Sequence, residues 1–341
     1  MGVNLTPIIE KRVVTLEDLR GRSFAVDGFV VLHQFLALIR ARDGTPLMDA
    51  KGRTTSHLVG LAFRTTRLVA DYGMKLIFVF DGRPPQLKRA EVEKRREIRA
   101  KFEEEYREAV AAGDYKTAMT KAVMTGRLTG EGIADAKRLL DLLGIPWVQA
   151  PSEGEAQAAY MAAKGDVWAS NSQDYDSLLF GAPRLVRYIT IQGEEWLPSK
   201  GRGRKLQPEI IDLPAMLTEL NITRDQLIDV GILIGTDFNP GIRGIGPKTA
   251  LKLIRKHGRL EELPPEIREQ LTPDADAIRD LYNHPPATDN YTLDEKPLQE
   301  EELIRFLCDE RSFSRERVDT VITRMKNARS QRSLRDWFGG I

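Results

Sequence analysis

The chain has 341 residues, with 51 Lys and Arg against 50 Asp and Glu, for a formal net charge of +1. Its length and its 41% hydrophobic content allow a substantial buried core, which excludes wholesale disorder. One cysteine, Cys308, and four scattered histidines (His33, His57, His257, His284) exclude an internal disulfide and a Cys/His zinc cluster.

Two short apolar runs, Ser23-Phe-Ala-Val-Asp27 and Leu76-Ile-Phe-Val-Phe-Asp81, read as buried strands, and each ends in an acid. The stretch from Asp166 to Asp174 is a weaker third. Helical patterns lie between and after them, at 32–39, 58–72 and 133–143. Alternation of this kind predicts an α/β fold, a largely parallel central sheet with helices on both faces. In such sheets ligands bind beyond the carboxyl ends of the strands, where these acids fall. From Arg83 to Lys101, eight of nineteen residues are basic and three acidic. A helix over roughly 86–112 has too narrow an apolar stripe to join a core, so it should project from the body. Residues 113–132 read as the return limb of that projection. No run approaches the ~20 apolar residues of a membrane span, and no basic-then-apolar leader opens the chain. A reducing compartment and no membrane partner are therefore expected.

The neutral total hides segregation. Residues 240–259 hold six basic side chains and no acid, whereas 260–310 hold fifteen acids and four basic residues.

Seven acids fall near expected strand ends or helix starts: Asp27, Asp81, Glu153, Glu155, Asp174, Asp176 and Asp237. Hard oxygen donors without His or Cys suit Mg²⁺ or Mn²⁺. Asp174 and Asp176 share one face if their segment is extended. Glu153 and Glu155, roughly 200° apart on a regular helix, converge only at its first turn. Two divalent ions ~4 Å apart would clamp the attacking and leaving oxygens of an in-line phosphoryl displacement. A plainer reading exists: Ser152 with Glu155 forms a capping box, and acids favour helix starts anyway.

Lys88 and Arg95 lie seven apart and Arg99 four further on, one helix face close after Asp81 that could hold a scissile phosphate. Gly241-Ile-Arg-Gly244-Ile-Gly246-Pro247-Lys248 reads as a helix–hairpin–helix element, with Pro247 at the first helical position. Its free backbone N–H groups would bind a DNA phosphate without regard to sequence. In the tail, from Gln331 on, a short turn would place Leu334, Trp337 and Phe338 on one side as a plug for a hydrophobic pocket on a partner.

With Phe80-Asp-Gly-Arg-Pro-Pro-Gln-Leu-Lys88, Ala150-Pro-Ser-Glu-Gly-Glu-Ala156, Ser172-Gln-Asp-Tyr-Asp176, Gly235-Thr-Asp-Phe238 through Lys248, and Glu301-Glu-Leu-Ile-Arg-Phe-Leu-Cys308 in this order, the whole chain resembles the flap endonucleases in their archaeal form. These are structure-specific 5′ nucleases. The resemblance implies two Mg²⁺ per subunit, with Mn²⁺ as a substitute. Asp27, Asp81, Glu153 and Glu155 would hold the first ion, and Asp174, Asp176 and Asp237 mainly the second. Lys88 and Arg95 match the basic pair at the base of the family's helical arch. Arg40, His33, Glu153, Gly235, Asp237, Gly244, Gly246 and Lys248 would face DNA, with a potassium ion at the Gly241–Gly246 hairpin. The family usually has a base-stacking tyrosine where this chain has His33.

The implied organisation is an N-terminal nuclease region (1–98), an inserted arch (82–132) and an internal nuclease region (116–258) with the hairpin element at 231–258. A C-terminal part of the body (259–327) and a tail (328–341) follow, the tail with a sliding-clamp peptide at 330–338. The implied activity is 5′ flap endonuclease and 5′–3′ exonuclease, in Okazaki-fragment maturation and repair. The partners would be branched DNA and the sliding clamp, proliferating cell nuclear antigen. The enzyme would be a monomer, cytoplasmic and nucleoid-associated. A non-catalytic DNA-junction binder predicts missing carboxylates, and none is missing. A bubble-cutting repair nuclease predicts a large spacer after Asp81, and the interval to Glu153 is too short for one.

Overall fold

A computed structural model describes residues 2–41, 45–114, 128–190, 194–197 and 202–338, and for 99, 110, 194–197, 202–205 and 331–338 the backbone alone. Strands β1 (Arg12–Val13), β2 (Ser23–Asp27), β3 (Lys75–Phe80), β4 (Trp147–Gln149), β5 (Ala169–Asn171), β6 (Arg184–Arg187) and β9 (Glu209–Asp212) form one sheet in the order β1-β9-β6-β5-β2-β3-β4. From β4 across to β6 every pairing is parallel, while β9 and β1 close that edge antiparallel. Strands β7 (Glu194–Leu197) and β8 (Arg202–Lys205) form a separate hairpin. The largely parallel sheet expected from the sequence is borne out.

Side-chain alternation sends the two faces of the central strands into different cores. Phe24, Val26, Leu76, Phe78 and Phe80 enter one core with helix α1 (Gly28–Leu38) and helix α5 (Gly130–Leu143). Ala25, Ile77 and Val79 enter the other, under helix α6 (Gly154–Lys164). Between α1 and β3 a continuous helical stretch runs through α2 (Ser56–Val59), one wider turn (Gly60–Thr65) and α3 (Thr66–Asp71). In the C-terminal part, after the short α13 (Glu300–Ile304), the long α14 (Arg315–Phe338) packs on α3.

Helix α4 (Arg89–Ala111) begins after a short tight turn at Gln86–Lys88. Of its described side chains only Ala109 is buried, and Val92 and Ile98 face solvent, so it projects as its composition predicts. Residues 115–127 of the expected return limb lie outside the described residues, which resume at Leu128.

A third core lies under α7 (Asp176–Leu179), α8 (Leu213–Leu220), α9 (Arg224–Ile234), α10 (Pro247–His257) and α12 (Ala275–Asn283); between the last two lies the short α11 (Pro265–Arg268). Helices α9 and α10 pack together across the Gly235–Gly246 turn, with Pro247 at the first position of α10. This is the anticipated helix–hairpin–helix. Its turn requires glycine at Gly241, where φ is 72° and an added Cβ would stand 2.4 Å from the Gly235 nitrogen.

Candidate active site

Each acid reaches the carboxyl edge of the sheet for a local reason. Asp27 ends β2 and caps α1, its Oδ1 accepting the Val30 N–H at 3.0 Å. Asp81 follows β3 directly, and its Oδ1 accepts the Gly154 N–H at the start of α6 at 2.6 Å. Glu153 is the N-cap residue of α6, and Glu155 stands in its first turn. Asp176 opens α7, and Asp237 lies just beyond α9 in the hairpin.

Two expectations change here. Ser152 does not cap α6: Glu153 holds that position without a cap bond from its own side chain, and the Gly154 N–H is taken by Asp81 instead. The capping-box explanation of Ser152 and Glu155 is thus removed. Nor do Asp174 and Asp176 share a strand face, because the chain bends at Asp174 and turns helical at Asp176. The Asp174 N–H instead donates to Ser172 Oγ at 3.2 Å.

The basic pair lies directly on the cluster. Lys88 Nζ contacts Glu153 Oε2 closely and stands 3.1 Å from Asp237 Oδ2. The Arg95 guanidinium donates to Asp237 Oδ1 at 2.7 Å and to Glu91 at 3.0 Å. The Arg99 side chain lies outside the described residues.

Crowded like charges leave their mark on the titration of the acids. Burial, then the charges of Asp81 and Asp174, push Asp27 up to about 8. Burial, then Asp237 and Asp174, push Asp176 up to about 7. Glu155 is driven well above the carboxylate range by burial and then by Asp176, Asp174 and Asp27. Glu153 is also raised, burial outweighing Lys88. Asp81 has solvent on its open side, yet enough protein crowds its carboxyl to raise it as well. Asp237 alone goes the other way: burial pushes it up, but Lys88 and Arg95 together pull it below its ordinary value.

These residues fit a hard divalent cation. Every donor is a carboxylate oxygen, and the ammonium of Lys88 already sits between Glu153 and Asp237 as a cation would. Among the described residues no three His, Cys, Asp or Glu side chains stand at metal-ligand spacing. In the protein alone, Lys88 and Arg95 balance part of the charge.

The expected DNA-facing residues spread outward from this point. His33 is half-buried on α1, and Arg40 donates from Nε to the Ala37 carbonyl at 3.1 Å. Gly244, Gly246 and Lys248 are exposed on the hairpin and the start of α10, and Gly235 takes a φ of 100° at the end of α9. The backbone of α14 runs through Gln331, Leu334, Trp337 and Phe338, but their side chains lie outside the described residues. Sequence reasoning missed Val3 and Tyr282, which both reach Asp176 from segments remote from it in the chain.

A parallel sheet with clustered acids at its carboxyl edge, a basic projecting helix and a helix–hairpin–helix together define a metal-dependent, structure-specific nuclease. The XPG N-terminal domain family matches residues 1–102, and the XPG I-region matches residues 144–237. The chain is 50% identical over 342 residues to flap endonuclease 1 of Pyrococcus abyssi, covering 99% of this chain and 98% of that one. Flap endonuclease 1 of Pyrococcus furiosus is likewise 50% identical, with 99% of each chain covered. Among solved structures, flap endonuclease-1 from Methanococcus jannaschii superimposes with a TM-score of 0.77 at 41% identity, covering 97% of this chain and all of that one (100%). The catalytic core of Rad2 in complex with DNA substrate, at 22% identity and a TM-score of 0.69, shares the fold. The chain belongs to the flap endonuclease 1 family.

Proposed function

We propose that this protein cuts branched DNA carrying a 5′ flap near the junction of single strand and duplex. The observation that carries the reading is the pairing of Lys88 and Arg95 with Glu153 and Asp237 at the carboxyl edge of a parallel sheet, with Asp27, Asp81, Glu155, Asp174 and Asp176 crowded near enough to shift one another's titration. Asp27, Asp81, Glu153 and Glu155 would hold one Mg²⁺, and Asp174, Asp176 and Asp237 mainly a second. Bound there, the ions supply charge stabilisation to the attacking and leaving oxygens. Lys88 and Arg95, projecting from the base of the arch, orient the scissile phosphate and offset the charge that develops on it. His33 and Arg40 position the DNA next to the cut. The exposed glycine amides at Gly244 and Gly246, with Lys248, grip the duplex phosphates, and a potassium ion at the hairpin would strengthen that grip. The division into nuclease regions, arch, hairpin element and tail follows the same reading. So does a monomer working in the cytoplasm on replication and repair intermediates, with 5′–3′ exonuclease activity on nicked ends.

The test is Asp174→Ala on a labelled 5′-flap substrate. Cleavage should be lost while DNA binding remains measurable; retained turnover would sink the assignment. The tail residues Gln331, Leu334, Trp337 and Phe338 are proposed to dock on the sliding clamp. Deleting 331–341 should abolish stimulation by the clamp and spare basal cleavage. Loss of basal cleavage would show instead that the tail belongs to the catalytic body.

A further inference from the structure

Helix α12 reaches the acid cluster through Tyr282. Tyr282 is fully buried, and its ring is wedged between Phe180, at 4.7 Å between centroids, and Phe238, edge-on at 5.5 Å. Phe180 directly follows the short helix that Asp176 opens, and Phe238 directly follows Asp237. One ring therefore spaces the two segments that bring Asp176 and Asp237 to the site. The hydroxyl donates to Asp176 Oδ1 at 3.4 Å, and the Val3 N–H donates to the same oxygen at 3.1 Å. On the other side, an added Cβ at Gly2 would stand 1.8 Å from Asp176 Oδ2, so only a bare backbone fits there. The tyrosine is itself fixed from behind: Arg224 donates to the Tyr282 carbonyl at 2.5 Å and to the Leu179 carbonyl at 3.0 Å.

A phenylalanine would fill this space equally well. A buried hydroxyl is costly unless it is hydrogen-bonded, so its use must lie in the bonds it makes, to Asp176 and to the Thr236 side chain beside Asp237. The first fixes one oxygen of Asp176 and thereby the direction of the other. Partners that orient a ligating group in this way typically change metal affinity 10–100-fold when removed.

We propose that Tyr282 is a positioning residue for the second cation site, aiming Asp176 through its hydroxyl and setting the separation of the Asp176 and Asp237 segments through its ring. The proposal rests on the reading of these two acids as ligands. Tyr282→Phe keeps the ring and removes only the hydroxyl with its bonds to Asp176 and Thr236. Mn²⁺ titration of the full-length protein followed by electron paramagnetic resonance should show about tenfold weaker binding at one of its sites. The Mg²⁺ concentration for half-maximal flap cleavage should rise by a similar factor. The rate at saturating Mg²⁺, the DNA affinity and the melting temperature in EDTA should stay close to those of the parent. Tyr282→Leu, which also loses the spacer, should weaken Mn²⁺ binding further. Unchanged Mn²⁺ affinity in Tyr282→Phe overturns the proposal, as does a lowered melting temperature with no shift in the Mg²⁺ midpoint. Asp176→Ala, run in parallel, separates the two levels. If it binds Mn²⁺ like the parent, the ligand reading itself fails. If it loses an ion while Tyr282→Phe binds normally, only the role of Tyr282 fails.

Discussion

Without metal, this protein should lose stability as the pH rises towards neutrality, the reverse of the usual acid sensitivity. Asp27 and Asp176, each about 4% exposed, have pKa values raised to about 8 and about 7. Both titrate near ~3.9 in the unfolded chain. A carboxyl raised on folding favours the folded state while it keeps its proton, and that advantage fades as pH climbs through the folded value. Between about pH 5 and pH 7 the unfolded groups are ionised while the folded ones still hold much of their protons, so each costs ~1.4 kcal/mol per unit. Two independent groups would lose ~5 kcal/mol over that span; a pair that shares protons loses roughly half, ~3 kcal/mol. Both carboxyls feel the charge of Asp174, which links their titrations and favours the smaller figure. Glu155 acts in the same direction. Asp237, lowered by Lys88 and Arg95 against its burial, is ionised in both states over this range and adds no slope. His57, its pKa lowered to about 4 by burial, opposes this by ~2 kcal/mol over the same span, so the test is made in His57→Phe. Urea unfolding of that variant in EDTA should show a midpoint about 1 M lower at pH ~7 than at pH ~5. Asp27→Asn should flatten the trend, and Mg²⁺ should restore the midpoint at the higher pH by binding the ionised cluster. A midpoint in EDTA that is flat or rises over this range would refute the reasoning.

Lys88→Ala and Arg95→Ala should each lower flap cleavage at saturating Mg²⁺ by about 10²–10³-fold, the typical cost of losing a donor aimed at developing charge. Filter binding in Ca²⁺ should show DNA affinity within a few-fold of the parent; a loss in binding as large as the loss in rate would make them general phosphate contacts. His57 governs the acid limb. It is 2% exposed, and among the described residues neither ring nitrogen has a hydrogen-bond partner. Burial lowers its pKa to about 4, the nearby Gly132 backbone opposing this only in part. Its neutral form is stable above its unfolded pKa of ~6.5, and about 3 kcal/mol is lost as pH falls from there through the folded value. His57→Phe should remove that loss when urea midpoints at pH ~7 and pH ~4.5 are compared; a variant as acid-sensitive as the parent would contradict it.

Where the fold was legible, a short-range signal carried it. The runs ending at Asp27 and Asp81 bury both faces, so continuous hydrophobicity suffices to mark them as central strands. Helix α4 announces its projection by lacking an apolar stripe, and the α9–α10 turn by its glycines and Pro247. Spacing failed where backbone direction changes within a few residues. Asp174 and Asp176 were expected side by side on an extended segment, but a bend and a helix start lie between them. Ser152 and Glu155 satisfy the capping-box pattern, yet Glu153 takes the cap position and gives its carboxylate to Lys88. A motif records what neighbours could do, and tertiary partners decide which option is used.

The charge balance follows the same logic. A net charge of +1 describes neither the acid cluster nor the arch, because the relevant pairs are far apart in the chain. Lys88 meets Glu153 across 65 positions, and Arg95 meets Asp237 across 142. Asp176 is held by Val3 and Tyr282, 173 and 106 positions away. No window or periodicity spans such intervals. The carboxylates themselves could be read in sequence because strand ends and helix starts fix their approximate position. The groups that aim them could not, because Tyr282 occupies an ordinary helical pattern and Val3 contributes only a backbone N–H. A single sequence therefore exposes the carboxylates of such a site more readily than the scaffold that orients them.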